Sequence, residues 1–385
     1  MECLRMKTLL FLSVHVNKWG AERSMCSLIA AISNKYRVIV LIGKHGPIEE
    51  LLQKLQVEYY IVPLLASSTT RRFNTLKMII RRMLYPIKLI VYQRKIERIL
   101  IEKKIEPDLI YTNTLIPISG FLLARKYKKP HLCHIRELYD EDFHFHSWIG
   151  RKNLFRLYKN NCTQFICISE AVRKKFVPIF GDKKLIRIYN GIPFQPTPTI
   201  SRTKDLTNII MVGRLSYEKR PMDAVKAMHI AIQNGYNHIH LDIYGSGPLE
   251  RSIQEYIEKH ELCRYISLCG YSNQIDYTSY NLGIICSPFE AFGRVTAEYM
   301  MHGLAVIGTS TGATPELIEN GVNGLLYTAG DVEELYREFV YYMENPKICQ
   351  EHGMNGYKRA INKFPEEKYI NNMCTLINNV LQAKI

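Results

Sequence analysis

Apolar and polar residues alternate in blocks along the first half of the chain, and the blocks predict a parallel α/β sheet. Short runs rich in Val, Ile and Leu predict buried strands, and the longer amphipathic stretches between most of them predict helices. We expect strands over residues 7–16, 37–42, 57–62, 109–112, 131–135, 165–168 and 185–189. This alternation is typical of a doubly wound parallel sheet covered by helices.

The second half repeats the pattern after a short irregular segment. Residues 193–207 hold Pro193, Pro196 and Pro198 among polar residues, which is typical of a linker. Strand-like runs follow at 208–212, 241–244, 267–270 and 282–286. Amphipathic helices are predicted at 331–343, 346–360 and 366–382. We therefore predict an N-terminal domain (1–192), a linker (193–207), a C-terminal domain (208–365) and a terminal helical segment (366–385).

Length and composition fit two ordinary domains. The chain has 385 residues and an apolar fraction of 47%, which allows a substantial core in each domain. No uninterrupted apolar run reaches about 18 residues, so we expect no membrane-spanning helix. The apolar stretch 6–16 lacks a small-residue cleavage site and fits a first strand better than a signal peptide. Ten scattered cysteines without a Cys-x-x-Cys pair indicate reduced thiols and a cytoplasmic protein.

Charge is distributed unevenly between the two halves. Up to residue 190 the chain has 34 Lys and Arg against 15 Asp and Glu, a net charge of +19, and the remainder has a net charge of −4. Residues 70–104 alone hold eleven Lys and Arg interleaved with Leu, Ile and Met. Such a stretch predicts an amphipathic helix, broken near Pro86, that lies on an anionic membrane surface.

Two other interpretations of this basic stretch remain. A helix packed on the sheet with a solvated basic face is the first of them. Nucleic-acid binding is the second, and it is disfavoured because no helix-turn-helix, zinc-finger or RNA-recognition signature accompanies the charge. We therefore predict peripheral association with the inner face of the cell membrane and no nucleic-acid partner.

Two glutamates frame the most informative part of the chain. Glu290 follows the strand-like run 282–286, and Glu298 lies within a helix predicted over 296–301. The backbone N–H groups around Gly293 to Thr296 would form a helix N-terminus, which attracts anions. Carboxylates accept hydrogen bonds from sugar hydroxyls. The spacing of the two glutamates is by itself weak evidence for a ligand site, because two glutamates eight residues apart also occur by chance in helical proteins.

The motif Glu290-Ala-Phe-Gly-Arg-Val-Thr-Ala-Glu298 resembles the Glu-x7-Glu signature of the retaining nucleotide-sugar glycosyltransferases of family 4 (group 1). The strand, Gly-containing loop and short helix from Gly303 to Gly324 follow in the order that the family shows. The resemblance implies the GT-B fold, with two Rossmann-like doubly wound domains facing a central cleft. It also implies that the first domain takes the acceptor, that the second takes the donor, and that the terminal helix crosses back.

A second motif supports the same resemblance. Gly213-Arg214-Leu-Ser-Tyr-Glu-Lys219 is similar to the family's Gly-Arg-Leu-x-x-Glu-Lys. By this likeness Arg214 and Lys219 hold the donor diphosphate, Glu290 the donor sugar hydroxyls and Glu298 the ribose hydroxyls. An Arg forks two hydrogen bonds to an anion and a Lys acts as a point charge.

The remaining donor contacts are carried over from the family position by position. The loop 17–24 resembles its Gly-rich loop, although Trp19 stands where members often have a first glycine beside Gly20. Tyr271 follows the end of a strand, where the resemblance places the base of the donor nucleotide. The predicted donor-binding residues are Gly20, Arg214, Lys219, Tyr271, Phe292, Gly293, Arg294, Val295 and Glu298.

Histidine supplies the last predicted catalytic residue. His134 lies at a predicted strand end, where open α/β sheets place their ligands. The resemblance assigns to it a hydrogen bond with the donor sugar, while His131 competes for the aligned position. Asp140-Glu141-Asp142 resembles the DxD motif of metal-dependent glycosyltransferases, but that motif belongs to a different fold.

The sequence thus predicts a retaining glycosyltransferase that builds a surface polysaccharide or glycan. Its catalytic residues would be His134, Arg214, Lys219 and Glu290, with a UDP-sugar as the favoured donor. A saccharide or polyprenyl-linked saccharide would be the acceptor, and no metal or other cofactor is expected. A nucleotide-sugar epimerase of the GT-B fold and an inactive glycosyltransferase-like partner subunit are the alternatives.

Overall fold

A computed structural model of the chain describes residues 5–17, 20–142, 144–196, 207–272 and 274–383. The chain divides into two compact units. Unit 1 comprises Met1–Asn190 and Tyr369–Ile385, and unit 2 comprises Gly191–Lys368. The domain limits 1–192, 193–207, 208–365 and 366–385 stay predictions, and residues 197–206 of the predicted linker lie outside the described residues.

Unit 1 is built on a parallel sheet of seven strands. They are β1 Thr8–Ser13, β2 Arg37–Ile42, β3 Glu58–Ile61, β5 Leu109–Thr112, β6 His131–Ile135, β8 Gln164–Cys167 and β9 Leu185–Arg187. Their order across the sheet is β3-β2-β1-β5-β6-β8-β9. Two further strands, β4 Ser68–Thr69 and β7 His146–Ser147, pair with each other antiparallel. Almost every residue of β1 and β2 is buried, as their uninterrupted apolar runs predict.

The helices of unit 1 cover this sheet. They are α1 Gly20–Ile32, α2 Ile48–Lys54, α3 Leu76–Glu102, α4 Ile118–Tyr127, α5 Arg151–Asn161 and α6 Glu170–Phe180, with a 3₁₀ turn at Asp182–Lys184. Leu28 and Ile29 of α1 pack with Leu9 and Phe11 of β1 in one apolar core. The parallel α/β architecture that the apolar blocks predict is therefore confirmed.

Helix α3 corrects one prediction. The predicted break near Pro86 is wrong, because the helix runs through this residue from Leu76 to Glu102. Pro86 is exposed, so water can satisfy the carbonyl that loses its helical partner. Thr75 caps the N-terminus of the helix, its side-chain oxygen accepting a hydrogen bond from the Met78 N–H at 3.4 Å.

Two different faces of α3 are apolar. Met78, Tyr85, Ile96 and Leu100 are buried against unit 1. The opposite face carries a row of side chains, each between 43% and 74% exposed, that recurs every three or four residues and that we call the outward stripe: Leu76, Ile79, Ile80, Met83, Leu84, Ile87, Ile90 and Val91. Helical spacing places these residues on one side of α3. The helix therefore presents an apolar surface that its own unit does not cover.

Unit 2 has a parallel sheet of six strands. They are β10 Thr207–Val212, β11 Ile239–Tyr244, β12 Ile266–Gly270, β13 Leu282–Ile284, β14 Ala305–Thr309 and β15 Leu325–Tyr327, in the order β12-β11-β10-β13-β14-β15. Its helices are α7 Pro221–Gln233, α8 Glu250–Lys259, α9 Arg294–Met301, α10 Thr314–Leu317, α11 Val332–Glu344 and α12 Pro346–Lys363, with a 3₁₀ turn at Tyr277–Ser279.

The last helix, α13 (Glu366–Gln382), completes the core of unit 1. Tyr369, Met373, Leu376 and Ile377 are buried in the same apolar cluster as β1, β2 and α1. The Tyr36 hydroxyl donates a hydrogen bond to Asn378 of this helix. Among the described residues, no helix is both long and apolar enough to cross a membrane.

Glycine allows two loops of unit 2 to touch. A Cβ on Gly247 would lie 2.3 Å from the Leu215 carbonyl oxygen, and one on Gly245 would lie 1.8 Å from that of Gly213. The Leu215 N–H donates to the Ser246 oxygen at 3.1 Å. The loops after β10 and β11 are thereby held together, and the loop after β10 carries Arg214 and Lys219.

We expect Gly247→Ala to lower the free energy of unfolding by about 1–3 kcal/mol, because backbone must move to admit the methyl group. Gly213→Ala is the matched control, since a Cβ there meets no atom within 4 Å. Its effect should stay within about 0.5 kcal/mol. Urea unfolding measures the stability of both variants. If both lose the same free energy of unfolding, the close contact of Gly247 with Leu215 does not limit the residue at this position.

Candidate functional site

The candidate donor-binding residues of unit 2 lie at one edge of its sheet. Arg214 and Lys219 follow β10, Tyr271 follows β12, and Glu290 follows β13. Because the strands are parallel, their carboxyl ends share an edge. Open α/β sheets bind ligands at this edge.

The loop that carries Glu290 packs against the loop that follows β14. The Ala313 N–H donates to the Glu290 carbonyl oxygen at 2.8 Å. Gly312 has a φ of +62°, and a Cβ there would lie 2.8 Å from both the nitrogen and the oxygen of Glu290. The loop after β14 therefore has to be small and left-handed at this point, and it fixes the backbone that carries the carboxylate.

The structure brings Lys219 and Glu290 together. The Lys219 Nζ lies 2.5 Å from the Glu290 Oε1, with the two side chains 36% and 16% exposed. A lysine ammonium has three donors, so it can hold the carboxylate and still contact an anion. The pair joins the loops after β10 and β13, two of the places where the sequence predicts donor contacts.

Arg294 and Glu298 form a second pair on α9. The Arg294 Nε lies 2.9 Å from the Glu298 Oε1, one helical turn away, and both side chains are about one-fifth exposed. The guanidinium thereby orients the carboxylate that the sequence assigns to ribose. Its remaining N–H groups stay available to an anion.

Helix α9 begins where the sequence places an anion. Gly293, with a φ of +90°, precedes the first residue, Arg294, and the helix continues for eight residues. The first N–H groups of a helix have no partner within it and carry partial positive charge. The ring of Phe292 is 2% exposed and packs edge-on against Phe364 at 5.6 Å. A ligand contact of Phe292 would therefore come from its backbone.

Arg214 and Tyr271 are the exposed members of the predicted set. Among the residues that the structure describes, the Arg214 side chain has no hydrogen-bond or ion-pair partner, and it is exposed. Tyr271 is 66% exposed. An unpaired guanidinium at this edge is free to fork hydrogen bonds to a diphosphate.

Tyr299 is a positioning residue that sequence reasoning missed. It is fully buried on α9, and its hydroxyl accepts a hydrogen bond from the Val212 N–H at 2.8 Å. A Cβ on Gly283 would lie 2.2 Å from the Tyr299 ring. The glycine in β13 was the available signal, because a glycine inside a strand often marks a close approach. Tyr299 fixes α9 to the end of β10.

In unit 1 the structure distinguishes the two histidines of β6. His134 is fully buried, and its Nδ1 lies 2.6 Å from the Tyr111 hydroxyl and 3.2 Å from the Arg136 Nη2. Burial, reinforced by the charge of Arg136, holds the pKa of His134 well below its usual value, so the ring is neutral. Its Nε2 is buried and has no hydrogen-bond partner among the described residues, and its contact with the donor sugar stays a prediction.

His131 has both ring nitrogens engaged. Its Nε2 lies 2.6 Å from the Thr112 Oγ1, and its Nδ1 lies 3.2 Å from the Asn161 oxygen. The ring packs edge-on against Phe121 at 4.4 Å. Burial lowers the pKa of His131 to about 3. These contacts make His131 a core residue. His134 differs, because one of its ring nitrogens has no partner among the described residues.

Arg136 connects the strand ends around His134, a role that the sequence did not reveal. Its Nε donates to the Asn113 carbonyl and side-chain oxygens, both at 3.1 Å, and its Nη1 donates to the Asn190 Oδ1 at 2.8 Å. The guanidinium therefore ties together the residues that follow β5, β6 and β9.

The Gly-rich loop is described only in part. Gly20 is the first residue of α1, while Lys18 and Trp19 lie outside the described residues. The Asn113 side chain donates to the Ala21 oxygen at 3.3 Å, which fastens this helix start to the end of β5. Gly20 thus lies near the strand ends that surround His134.

The acidic triplet is engaged in protein contacts. Asp140 pairs with Arg151 at 2.7 Å and with Lys175 at 3.4 Å, and Glu141 also pairs with Lys175. One oxygen of Asp142 accepts from the Leu138 N–H at 2.6 Å. Within the described ranges, no group of three His, Cys, Asp or Glu side chains is arranged to hold a metal ion.

Comparison with known proteins identifies the family. The family model described as Glycosyl transferases group 1 matches residues 199–359, and that described as Glycosyltransferase Family 4 matches residues 19–195. The chain belongs to the family 4 (group 1) glycosyltransferases. Arg214, Lys219, Glu290 and Glu298 of this glycosyltransferase lie within the first match, and His134 lies within the second.

Relatives and solved structures agree with this family. An uncharacterised glycosyltransferase of Methanocaldococcus jannaschii is 24% identical over 68% of this chain and 73% of its own length. The alpha-monoglucosyldiacylglycerol synthase of Acholeplasma laidlawii is 21% identical over 70% of this chain and 74% of its own. The crystal structure of Anabaena HepE with UDP and glucose aligns with a TM-score of 0.76 at 19% identity, covering 97% of this chain and 99% of that one. The predicted GT-B fold is confirmed.

Replacing the core histidine should change how stability depends on pH. The pKa of His131 is about 3 in the folded protein against roughly 6.5 unfolded. The unfolded chain thus binds the extra proton between these values, and stability falls as the pH drops through that window. We expect His131→Gln to remove up to about 1.4 kcal/mol per pH unit of this dependence.

Urea unfolding of the parent and of His131→Gln between pH 4 and 7 measures the difference. His238→Gln, which changes an exposed histidine, is the control. A parent-to-variant difference that stays constant with pH would show that His131 is not held neutral.

Proposed function

We propose that this glycosyltransferase is a retaining enzyme that transfers a sugar from a UDP-sugar to a saccharide or lipid-linked saccharide during synthesis of a surface glycan. One observation carries the proposal. The Lys219–Glu290 and Arg294–Glu298 pairs and the start of α9 occupy one edge of the unit 2 sheet. Together they offer carboxylates for hydroxyls and positive charge for a diphosphate.

The roles of the residues follow from their chemistry. Arg214, Lys219 and the N–H groups that begin α9 stabilise the negative charge that grows on the departing diphosphate. Glu298, held by Arg294, accepts hydrogen bonds from the ribose hydroxyls. Glu290, held by Lys219, accepts them from the donor sugar. For the buried, neutral His134 we carry over the contact with the donor sugar that the family resemblance predicts.

Retention of configuration fits a front-face reaction. The bond between the anomeric carbon and the diphosphate oxygen breaks, and the acceptor oxygen bonds to that carbon on the same face. The acceptor proton passes to the departing phosphate. Both candidate carboxylates are paired with cations, which suits binding of hydroxyls better than attack on carbon.

The choice of donor and acceptor draws support from other proteins. The Anabaena HepE structure holds UDP and glucose, which favours a UDP-sugar here. The Acholeplasma relative is by name a synthase of a glucosylated diacylglycerol, which favours an acceptor at a lipid surface. The outward stripe of α3, flanked by Lys77, Arg81, Lys88 and Arg94, is suited to an anionic membrane.

Removing each carboxylate should affect a different kinetic step. We expect Glu298→Gln to weaken donor binding about tenfold to hundredfold through lost ribose hydrogen bonds, and Glu290→Gln to slow transfer by a similar factor. Calorimetry with the UDP-sugar and initial rates separate the two effects. Glu319→Gln is the control, since this carboxylate pairs with Arg359 elsewhere in unit 2.

If both variants remain within about twofold of the parent, the Glu-x7-Glu assignment is wrong. Donor binding without any hydrolysis or transfer in the parent would instead identify an inactive partner subunit.

We also propose that the reaction needs no metal, because Arg214, Lys219 and the start of α9 provide the positive charge. Activity should therefore persist in excess EDTA, measured as release of the nucleotide from the donor. Loss of activity that Mg²⁺ or Mn²⁺ restores would contradict this and would direct attention to Asp140, Glu141 and Asp142.

A further inference from the structure

Unit 1 has a cavity beside the start of α3 that contains none of the predicted donor-binding residues. We call it the α3 cavity. Its volume is about 610 Å³, and its lining includes Arg72, Phe73, His144, His146, Ser147 and Arg151. Small-molecule sites usually measure a few hundred to a thousand cubic ångströms, so the α3 cavity has room for a phosphorylated headgroup.

The charges of the α3 cavity favour an anion. The Arg72 side chain is exposed and has no hydrogen-bond or ion-pair partner in the part of the chain that the structure describes. Arg151 pairs with Asp140 at 2.7 Å, and Lys175 lies 3.4 Å from the same carboxylate. The single acidic side chain of the lining is thus neutralised from two sides. Guanidinium groups match the geometry of phosphate oxygens.

An aromatic cluster joins this cavity to α3. Phe73 lines the cavity and lies 5.1 Å from Trp148, which stacks on Tyr85 of α3 at 5.6 Å. The Arg82 guanidinium lies over the Phe73 ring at 5.0 Å. The wall of the cavity and the base of the helix are therefore one packed unit.

The outward stripe of α3 indicates the kind of surface that the helix contacts. The stripe begins at Leu76, three residues after Phe73, and its side chains are 43% to 74% exposed. Basic residues flank it along the helix. An apolar stripe bordered by basic residues fits a lipid surface that is anionic. The stripe and the lining of the α3 cavity are thus neighbours along the chain, with Leu76 three residues after Phe73.

We propose that the α3 cavity binds the phosphate of an anionic phospholipid headgroup while the outward stripe enters the lipid layer. The proposal rests on the membrane docking proposed above. It adds that unit 1 recognises a phosphate headgroup as a chemical group and not negative surface charge alone. Arg72 forks hydrogen bonds to the phosphate oxygens, and His144 and His146 belong to the same lining.

A soluble phospholipid tests the cavity directly. We expect dihexanoyl phosphatidylglycerol, used as monomers, to bind the parent in calorimetry. Arg72→Gln with His146→Gln should weaken this binding about tenfold or more. Arg81→Gln is the control, because it removes another exposed arginine that lies on α3 outside the cavity lining, and it should bind like the parent. Equal binding by the cavity variant would overturn the proposal, as would inorganic phosphate competing as strongly as glycerol phosphate.

Vesicles distinguish the headgroup site from general docking. Two sets with equal surface charge are compared, one with phosphatidylglycerol and one with oleate in the same phosphatidylcholine background. The parent should sediment preferentially with phosphatidylglycerol, and the cavity variant should bind both sets equally. Arg81→Gln should lose affinity for both sets while keeping the preference, and high salt should detach all proteins.

Each failure has its own signature. A parent that binds both vesicle sets equally retains the membrane docking but has no headgroup site. A parent that ignores both sets lacks docking as well, which overturns the proposal and favours a soluble acceptor. Release of nucleotide from the UDP-sugar, which depends on unit 2, should be the same for every variant, so the glycosyltransferase assignment is judged separately.

Discussion

The candidate donor site depends on the parallel pairing of β10 with its neighbours. Ile209 of β10 pairs with Leu241 of β11 on one side and Leu282 of β13 on the other. Parallel strands send their following loops to one edge, so Lys219 can reach Glu290 although 71 residues separate them. Tyr299 strengthens this arrangement, because its hydroxyl accepts the N–H of Val212 at the end of β10. An antiparallel neighbour would place the same side chains at opposite edges.

Two partly buried ion pairs make this edge suitable for both hydroxyls and phosphate. Glu290 and Glu298 would repel a diphosphate if they were uncompensated. Lys219 and Arg294 offset their charges within the protein, and Arg214 adds a cation that no described carboxylate contacts. The edge can therefore hold an anion without giving up the carboxylates that accept hydrogen bonds from sugar hydroxyls.

The sequence predicts the strands well because most are buried apolar runs with clear limits. Predicted and observed bounds agree for Arg37–Ile42, Leu109–Thr112 and His131–Ile135. Pro86 shows the limit of a local rule, since an exposed helix tolerates the missing hydrogen bond. The roles of Arg136 and Tyr299 arise from contacts with residues distant along the chain, and no local spacing reveals them.

The two histidines of β6 show another limit. They are three residues apart, so they face opposite sides of the strand. His131 meets Phe121 of α4, and His134 lies near Tyr369 of α13. Which side holds the ligand depends on how these helices pack, and the strand's own sequence does not specify this. The assignment of His134 to the donor sugar stays a prediction.

The placement of α13 has a consequence for synthesis of the protein. Tyr369, Met373, Leu376 and Ile377 fill the core of the unit that the first 190 residues otherwise form. A chain grows on the ribosome from its N-terminus at about 5–20 residues per second. Nearly all of unit 2 is therefore made before this core can close. During that interval the nascent first unit exposes the apolar surface that α13 later covers, and it is then a natural substrate for chaperones.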